Sequence, residues 1–313
     1  MARARKQAPL KAEARLMLPV FAACGGAGRT TVCGLLASCF AELGATVVLD
    51  TSVPLASPWR RWTAEAGGAG LESLPPTQPL TPERVRAAAS TLGAGGTTPP
   101  WQVLTDRRGW NGQALSLPPE PAAWMRLVQG GGWQVALADT AVPLADNLMT
   151  SHWAGTPSLL SGWLADPAAV ALLCTGSSRD QVEATAVALA AMETSRLPLH
   201  RVVLVVSDLA ASGVPRQVKA ALTMLEHKVA AVLRLPYEDR LRAHGPLDPQ
   251  LPAKFSRHVE QAAQTLIDTG ERTWGQLRAP AAVPPFPEGS SPDALDPSAL
   301  PAGALGHPVP GRR

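Results

Sequence analysis

The chain is sparing with charge and more so with tyrosine: Asp, Glu, Lys and Arg make up 17% of its 313 residues, and one Tyr stands beside four Phe. A formal net charge of +3 is too small to mark a nucleic-acid-binding surface by itself. No apolar run approaches the roughly 20 residues of a spanning helix. Stable membrane insertion is therefore not expected, and without a convincing export signal the expected location is cytoplasmic. The four cysteines, Cys24, Cys33, Cys39 and Cys174, have neither zinc-ligand spacing nor the density of a disulfide scaffold. They read as reduced thiols. No internal repeat is visible. What is abundant is apolar residues, 46% of the chain, enough for one substantial core.

The first chemical signal is Cys24-Gly25-Gly26-Ala27-Gly28-Arg29-Thr30-Thr31. An apolar run, Leu16 to Ala23, precedes it, and Thr30 to Leu43 carries apolar residues at helical spacing, so the glycines join a strand to a helix. Such glycines let backbone N–H groups turn toward an anion, and the helix N-terminus adds partial positive charge. Further strands follow at Ala45–Asp50, Gln134–Asp139, Ala169–Thr175, Arg201–Asp208 and Val229–Pro236. Helices are predicted at Ser178–Glu193, Pro215–Leu225 and Pro252–Asp268. This alternation predicts an α/β fold, a three-layer sandwich with a mainly parallel central sheet. Residues 51–132 are irregular, with a helical piece at Pro82–Leu92 and a strand at Gln102–Thr105.

Plainer readings exist for each feature. A glycine cluster can be an ordinary strand-to-helix turn, and Asp50 or Asp139 alone is more often a solvated strand end; their order is what raises them. Basic residues at Arg3, Arg5, Lys6, Lys11 and Arg15 before Phe21-Ala22-Ala23-Cys24 also resemble a lipoprotein signal ending at a lipidated cysteine. Against that, the apolar stretch is short and holds Pro19, and cleavage would delete the first strand of the pattern.

Gly25, Gly26, Gly28, Thr30 and Thr31 resemble the deviant Walker A motif of the ParA/MinD family of P-loop ATPases, with Cys24 and Arg29 where that motif has lysines. Asp50 falls where the family has its switch I strand, and Asp139 ends a strand resembling Walker B. The resemblance implies a P-loop NTPase-like sandwich in which Gly25, Gly26, Ala27, Gly28, Arg29, Thr30 and Thr31 bind ATP or ADP, and Thr30, Asp50 and Asp139 attend a Mg²⁺ ion. It also implies a positioning or assembly role: DNA partitioning, division-site selection, or placement of a secretion or pilus apparatus. The implied partners are a protein, a nucleotide-dependent second copy and nonspecific DNA. Arginine at 29 is a planar fork rather than a slim ammonium, Cys24 brings no charge, and Ser52 stands where the family's Asp-x-Asp has its second acid, so hydrolysis is expected to be impaired or absent. The alternative is a nucleotide-free pseudo-ATPase scaffold that only binds a protein partner.

The expected organisation is a basic flexible leader (1–15), a ParA/MinD-like P-loop domain (16–278) and a proline-rich disordered tail (279–313). That tail offers no amphipathic membrane helix. Arg60, Arg61, Arg84, Arg86, Arg107 and Arg108 are candidates for DNA contact, or simply a solvated surface. Trp59, Trp62, Trp101 and Trp110 lie in the irregular region, where they either mark a protein contact or pack in the core.

Overall fold

Successive residues of the central strands enter two different buried clusters, as a parallel sheet covered on both faces requires. In β1 (Leu16–Ala22), Met17 and Phe21 join one cluster while Leu16, Leu18, Val20 and Ala22 join the other. In β2 (Thr46–Asp50), Val47 and Leu49 oppose Val48 in the same way. These elements belong to a computed structural model that describes residues 8–93, 99–109 and 117–279. The remaining strands are β3 (Ser90–Leu92), β4 (Trp101–Leu104), β5 (Val135–Asp139), β6 (Ala171–Gly176), β7 (Val202–Ser207) and β8 (Ala231–Leu235). The sheet order is β3-β4-β2-β5-β1-β6-β7-β8, parallel throughout except for the antiparallel edge pair β3 and β4.

One face is covered by helix α1 (Arg29–Ala41), by Trp59 of the short α2 (Trp59–Trp62) and by the long C-terminal helix Ala253–Trp274. The other face carries α3 (Pro82–Ala88), α4 (Pro121–Gly131), α5 (Leu144–Ala154), α6 (Leu159–Leu164), α7 (Arg179–Thr194) and α8 (Arg216–Glu226). A short α9 (Asp239–His244) precedes the C-terminal helix, hereafter α10. The expected three-layer α/β sandwich is present. Among the described residues no helix is long and apolar enough to cross a membrane.

Several expectations need correction. The helix predicted at Pro82–Leu92 ends at Ala88: Ala89 turns extended (φ −75°, ψ 133°), and Ser90–Leu92 pair with Trp101–Leu104 as an edge strand. Thr81 caps it and Pro82 stands in its first turn, but pairing to a distant strand overrides the helical pattern beyond Ala88. Helix α10 runs to Trp274, and α4, α5 and α6 arise in stretches to which no element had been assigned.

Residues 8–15 of the expected leader pack on the domain. Leu10 and Ala14 are buried, Leu10 N–H donates to the Leu43 carbonyl and Lys11 N–H to that of Leu277, each at 2.8 Å. The C-terminal edge of the described domain closes the clasp, with Ala279 N–H on the Pro9 carbonyl and Arg278 paired to Glu271 and Asp268. These partners come from the far end of the chain, so no local periodicity announces them. Residues 1–7, Trp110 and the tail from Pro280 lie outside the described residues.

Pro19 sits in the middle of the sheet, where its missing N–H interrupts one ladder. The β1–β5 pairing is continuous from Leu16↔Val135 to Val20↔Asp139. Toward β6 there is a bridge at Met17↔Ala169, then nothing until Val20↔Leu172.

Candidate functional site

The loop after β1 lies at the carboxyl edge of the sheet, beside the point where connections change direction from the β2 side to the β6 side, the usual place for a ligand crevice. Gly26 (φ 70°) and Gly28 (φ 83°) take left-handed conformations that side chains disfavour, and Gly28 is the cap from which α1 starts. Among the described residues, no protein acceptor takes the backbone N–H of Gly25, Gly26, Ala27, Gly28, Arg29, Thr30 or Thr31. The first to be taken is that of Val32, by the Gly28 carbonyl at 2.9 Å. Gly25 and Gly26 are exposed, and a Cβ at either would meet nothing within 4 Å. The loop is thus a run of donors without protein acceptors, open at Gly25 and Gly26, at a helix N-terminus and suited to a polyanion.

Two acids stand beside it. Parallel pairing of β2 with β5 places Asp50 opposite Asp139, both almost wholly buried. Asp139 accepts from the indole N–H of Trp59 at 2.8 Å, and the Thr30 hydroxyl of the loop lies near enough to act on it as a second donor. Burial raises its pKa, opposed by these two donors and by the Arg29 charge. Asp50 accepts from the hydroxyls of Ser57 (2.5 Å) and Thr105 (2.6 Å) and from Ser52 N–H (3.0 Å). Burial outweighs those bonds and pushes its pKa up to about 6. No cluster of three or more His, Cys, Asp or Glu occurs among the described residues, so a cation here would rest on these two acids, hydroxyls and water.

Arg29 does not extend freely from the loop: its guanidinium donates to the Thr140 carbonyl at the end of β5. Cys24, partly exposed, has its thiol pKa raised by burial and carries no positive charge. Thr51 bridges the two strand ends, its hydroxyl donating to the Asp139 carbonyl and accepting from Ala141 N–H, both at 3.0 Å. All seven loop residues and both acids therefore meet at one edge. Trp59, Ser57 and Thr105 were not anticipated as site residues. Trp59 was visible only as an aromatic in an irregular stretch, and its bond to Asp139 depends on how residues 51–58 fold back.

Three of the six arginines named as candidates for DNA contact hold backbone, and a fourth is paired to an acid. Arg107 donates to the carbonyls of Ala64, Gly67 and Gly68, Arg84 to those of Pro79 and Ser73, and Arg60 to that of Arg107, while Arg108 pairs with Asp106. Trp59 and Trp101 are core residues and Trp62 is half-buried, in edge contact with Trp59. A cavity of about 430 Å³ lies away from the loop, between the C-terminal half of α1, Trp101 and residues 246–251.

No protein-family model matches the sequence and no curated protein matches it. Solved structures do. The fold is similar to that of the cell division ATPase MinD of Pyrococcus furiosus, with a TM-score of 0.54 and 16% identity over 80% of this chain and 98% of that one. The MinD cell division protein of Aquifex aeolicus gives a TM-score of 0.52 and 14% identity over 84% and 98%. The chain has a MinD/ParA-like fold. A pNOB8 ParA, solved bound to nonspecific DNA, is similar at a TM-score of 0.50 and 12% identity over 82% and 99%. At these identities the likeness concerns the MinD/ParA-like fold alone.

Proposed function

We propose that this chain is a MinD/ParA-like nucleotide-binding protein, weak or inactive as an ATPase, that acts in positioning or assembly by engaging a protein partner. The observation carrying this reading is the open run of unclaimed N–H groups from Gly25 to Thr31, with the Thr30 hydroxyl beside Asp139. These residues fit a Mg²⁺-nucleotide. The loop N–H groups would hold the phosphates, and Thr30 and Asp139, with Asp50 beside them, would hold the metal. A Mg²⁺ held there would supply charge neutralisation at the phosphates. What this chain lacks is charge at the reacting end: Arg29 is committed to the Thr140 carbonyl, Cys24 is neutral, and Ser52 offers no carboxylate. A second copy across the nucleotide and nonspecific DNA are further partners this reading allows.

Titration of the protein with ATP by calorimetry, with Mg²⁺ and with EDTA, tests it. Saturable binding strengthened by Mg²⁺ is expected, and Thr30→Ala should abolish most of the Mg²⁺ enhancement while leaving a folded protein. An unchanged enhancement in Thr30→Ala would show that the proposed metal shell is wrong. The second reading, a nucleotide-free scaffold, draws on the saturation of Asp50 by three protein donors and on the Trp59 bond to Asp139. No saturable binding under either condition would select it.

A further inference from the structure

Trp59 is wholly buried, yet its polar atom is directed at the acid that ends β5 rather than at a backbone carbonyl. Its ring is held by two others and lies close to α1. Trp62 and Trp101 meet it edge-on at centroid distances of 5.0 and 6.0 Å, and a Cβ on Gly34 of α1 would lie 3.7 Å from its Cη2. The indole is thus packed within an aromatic cluster beside the helix that begins at the loop. A second hold reinforces it: Trp59 backbone N–H donates at 3.1 Å to the Ser57 hydroxyl, which itself donates to Asp50. The turn from Ser57 to Trp59 is thus a bracket across both acidic strand ends, and Thr63, whose hydroxyl donates to the Trp59 carbonyl at 2.8 Å, closes its far side.

We propose that Trp59 is a positioning residue: its indole N–H fixes the carboxylate of Asp139 in the orientation that a Mg²⁺ ion shared with Thr30 requires, and thereby couples metal-dependent nucleotide binding to residues 51–63. This rests on the nucleotide-binding reading above. The physical argument is that carboxylates attending a metal are themselves oriented by outer hydrogen bonds. Here that bond comes from a rigid, water-excluded donor with one available direction. Packing alone needs only the aromatic body; positioning needs the N–H.

The experiment compares the full-length chain with Trp59→Phe and with a chain carrying 3-benzothienylalanine at position 59, which keeps the indole shape and replaces the N–H by sulfur. ATP affinity is measured by calorimetry with Mg²⁺ and with EDTA, and the ratio of the two is the readout. The ratio should fall by roughly 10- to 100-fold in both variants, with affinity in EDTA essentially unchanged. Trp101→Phe, which alters the same aromatic cluster without touching Asp139, should keep the ratio. Should Trp59→Phe fail to fold, the isosteric analogue carries the test alone. An undiminished ratio in the analogue, or an equal fall in Trp101→Phe, overturns the positioning role while leaving nucleotide binding intact. A wild-type chain that binds no nucleotide overturns both.

Discussion

At residue 29 the side chain and the fold of the loop are separable. Glycines at 26 and 28 satisfy the turn, and the helix starts on schedule, because these depend on backbone conformation and not on the side chain at 29. The guanidinium finds a carbonyl acceptor that binds it in a fixed direction. Arg29→Lys should therefore raise phosphate release by less than about tenfold, since groups that act as one catalytic unit do not recover singly. Steady-state phosphate release measures this. Brisk turnover in that single variant would show that Cys24 and Ser52 are not deficits. The neighbouring acids illustrate the same separation. Asp50 has three protein donors within its own neighbourhood and serves the local fold, whereas Asp139 faces Thr30 and Trp59 and serves the loop.

Between elements, α1 and the segment before α10 approach closely. A Cβ on Gly34 would lie 2.8 Å from Pro246 Cγ, so Gly34→Ala forces the two apart at a cost of about 1–3 kcal/mol. Chemical denaturation should show this loss, and wild-type stability would mean that the segment yields freely. Helix α1 was legible because Val32, Leu36 and Phe40 recur at helical spacing, and the strands because apolar runs end in Asp50 and Asp139. The glycine loop was legible because few residues tolerate its φ angles. Edge strand β3 was not, since Ser90-Thr91-Leu92 becomes a strand only by pairing with Trp101–Leu104. The site's aromatic member escaped for a related reason: a tryptophan's hydrogen-bond partner is set by tertiary placement, and nothing in residues 51–63 names an acid on another strand.

For the molecule as a whole, the two ends of the described domain meet. Glu271 accepts from the guanidinium and backbone N–H of Arg278 and from Leu277 N–H, and the Arg278 bond above all pulls its pKa down to about 2. A carboxylate whose pKa falls on folding stabilises above its unfolded value, near 4.5, and loses that contribution as pH drops through about 2. Arg278→Ala should cost about 1–2 kcal/mol at neutral pH, allowing for the partial exposure of the pair, and should flatten the stability profile in that acid window. Urea midpoints across pH measure both, and parallel curves would show that the clasp contributes nothing. The gap at Pro19 has a different consequence, in the order of events during synthesis. It falls between β1 and β6, and every strand on one side of it comes from residues 16–139 while every strand on the other comes from residues 171–235. The weaker seam therefore divides the sheet into an earlier and a later product of the ribosome. The earlier half, joined by the unbroken β1–β5 ladder, can assemble while the later half is still being made. Pulse-labelled hydrogen exchange during refolding should find amides of β2 and β5 protected before those of β7 and β8. Simultaneous protection would mean that the proline marks a gap in bonding but not in time.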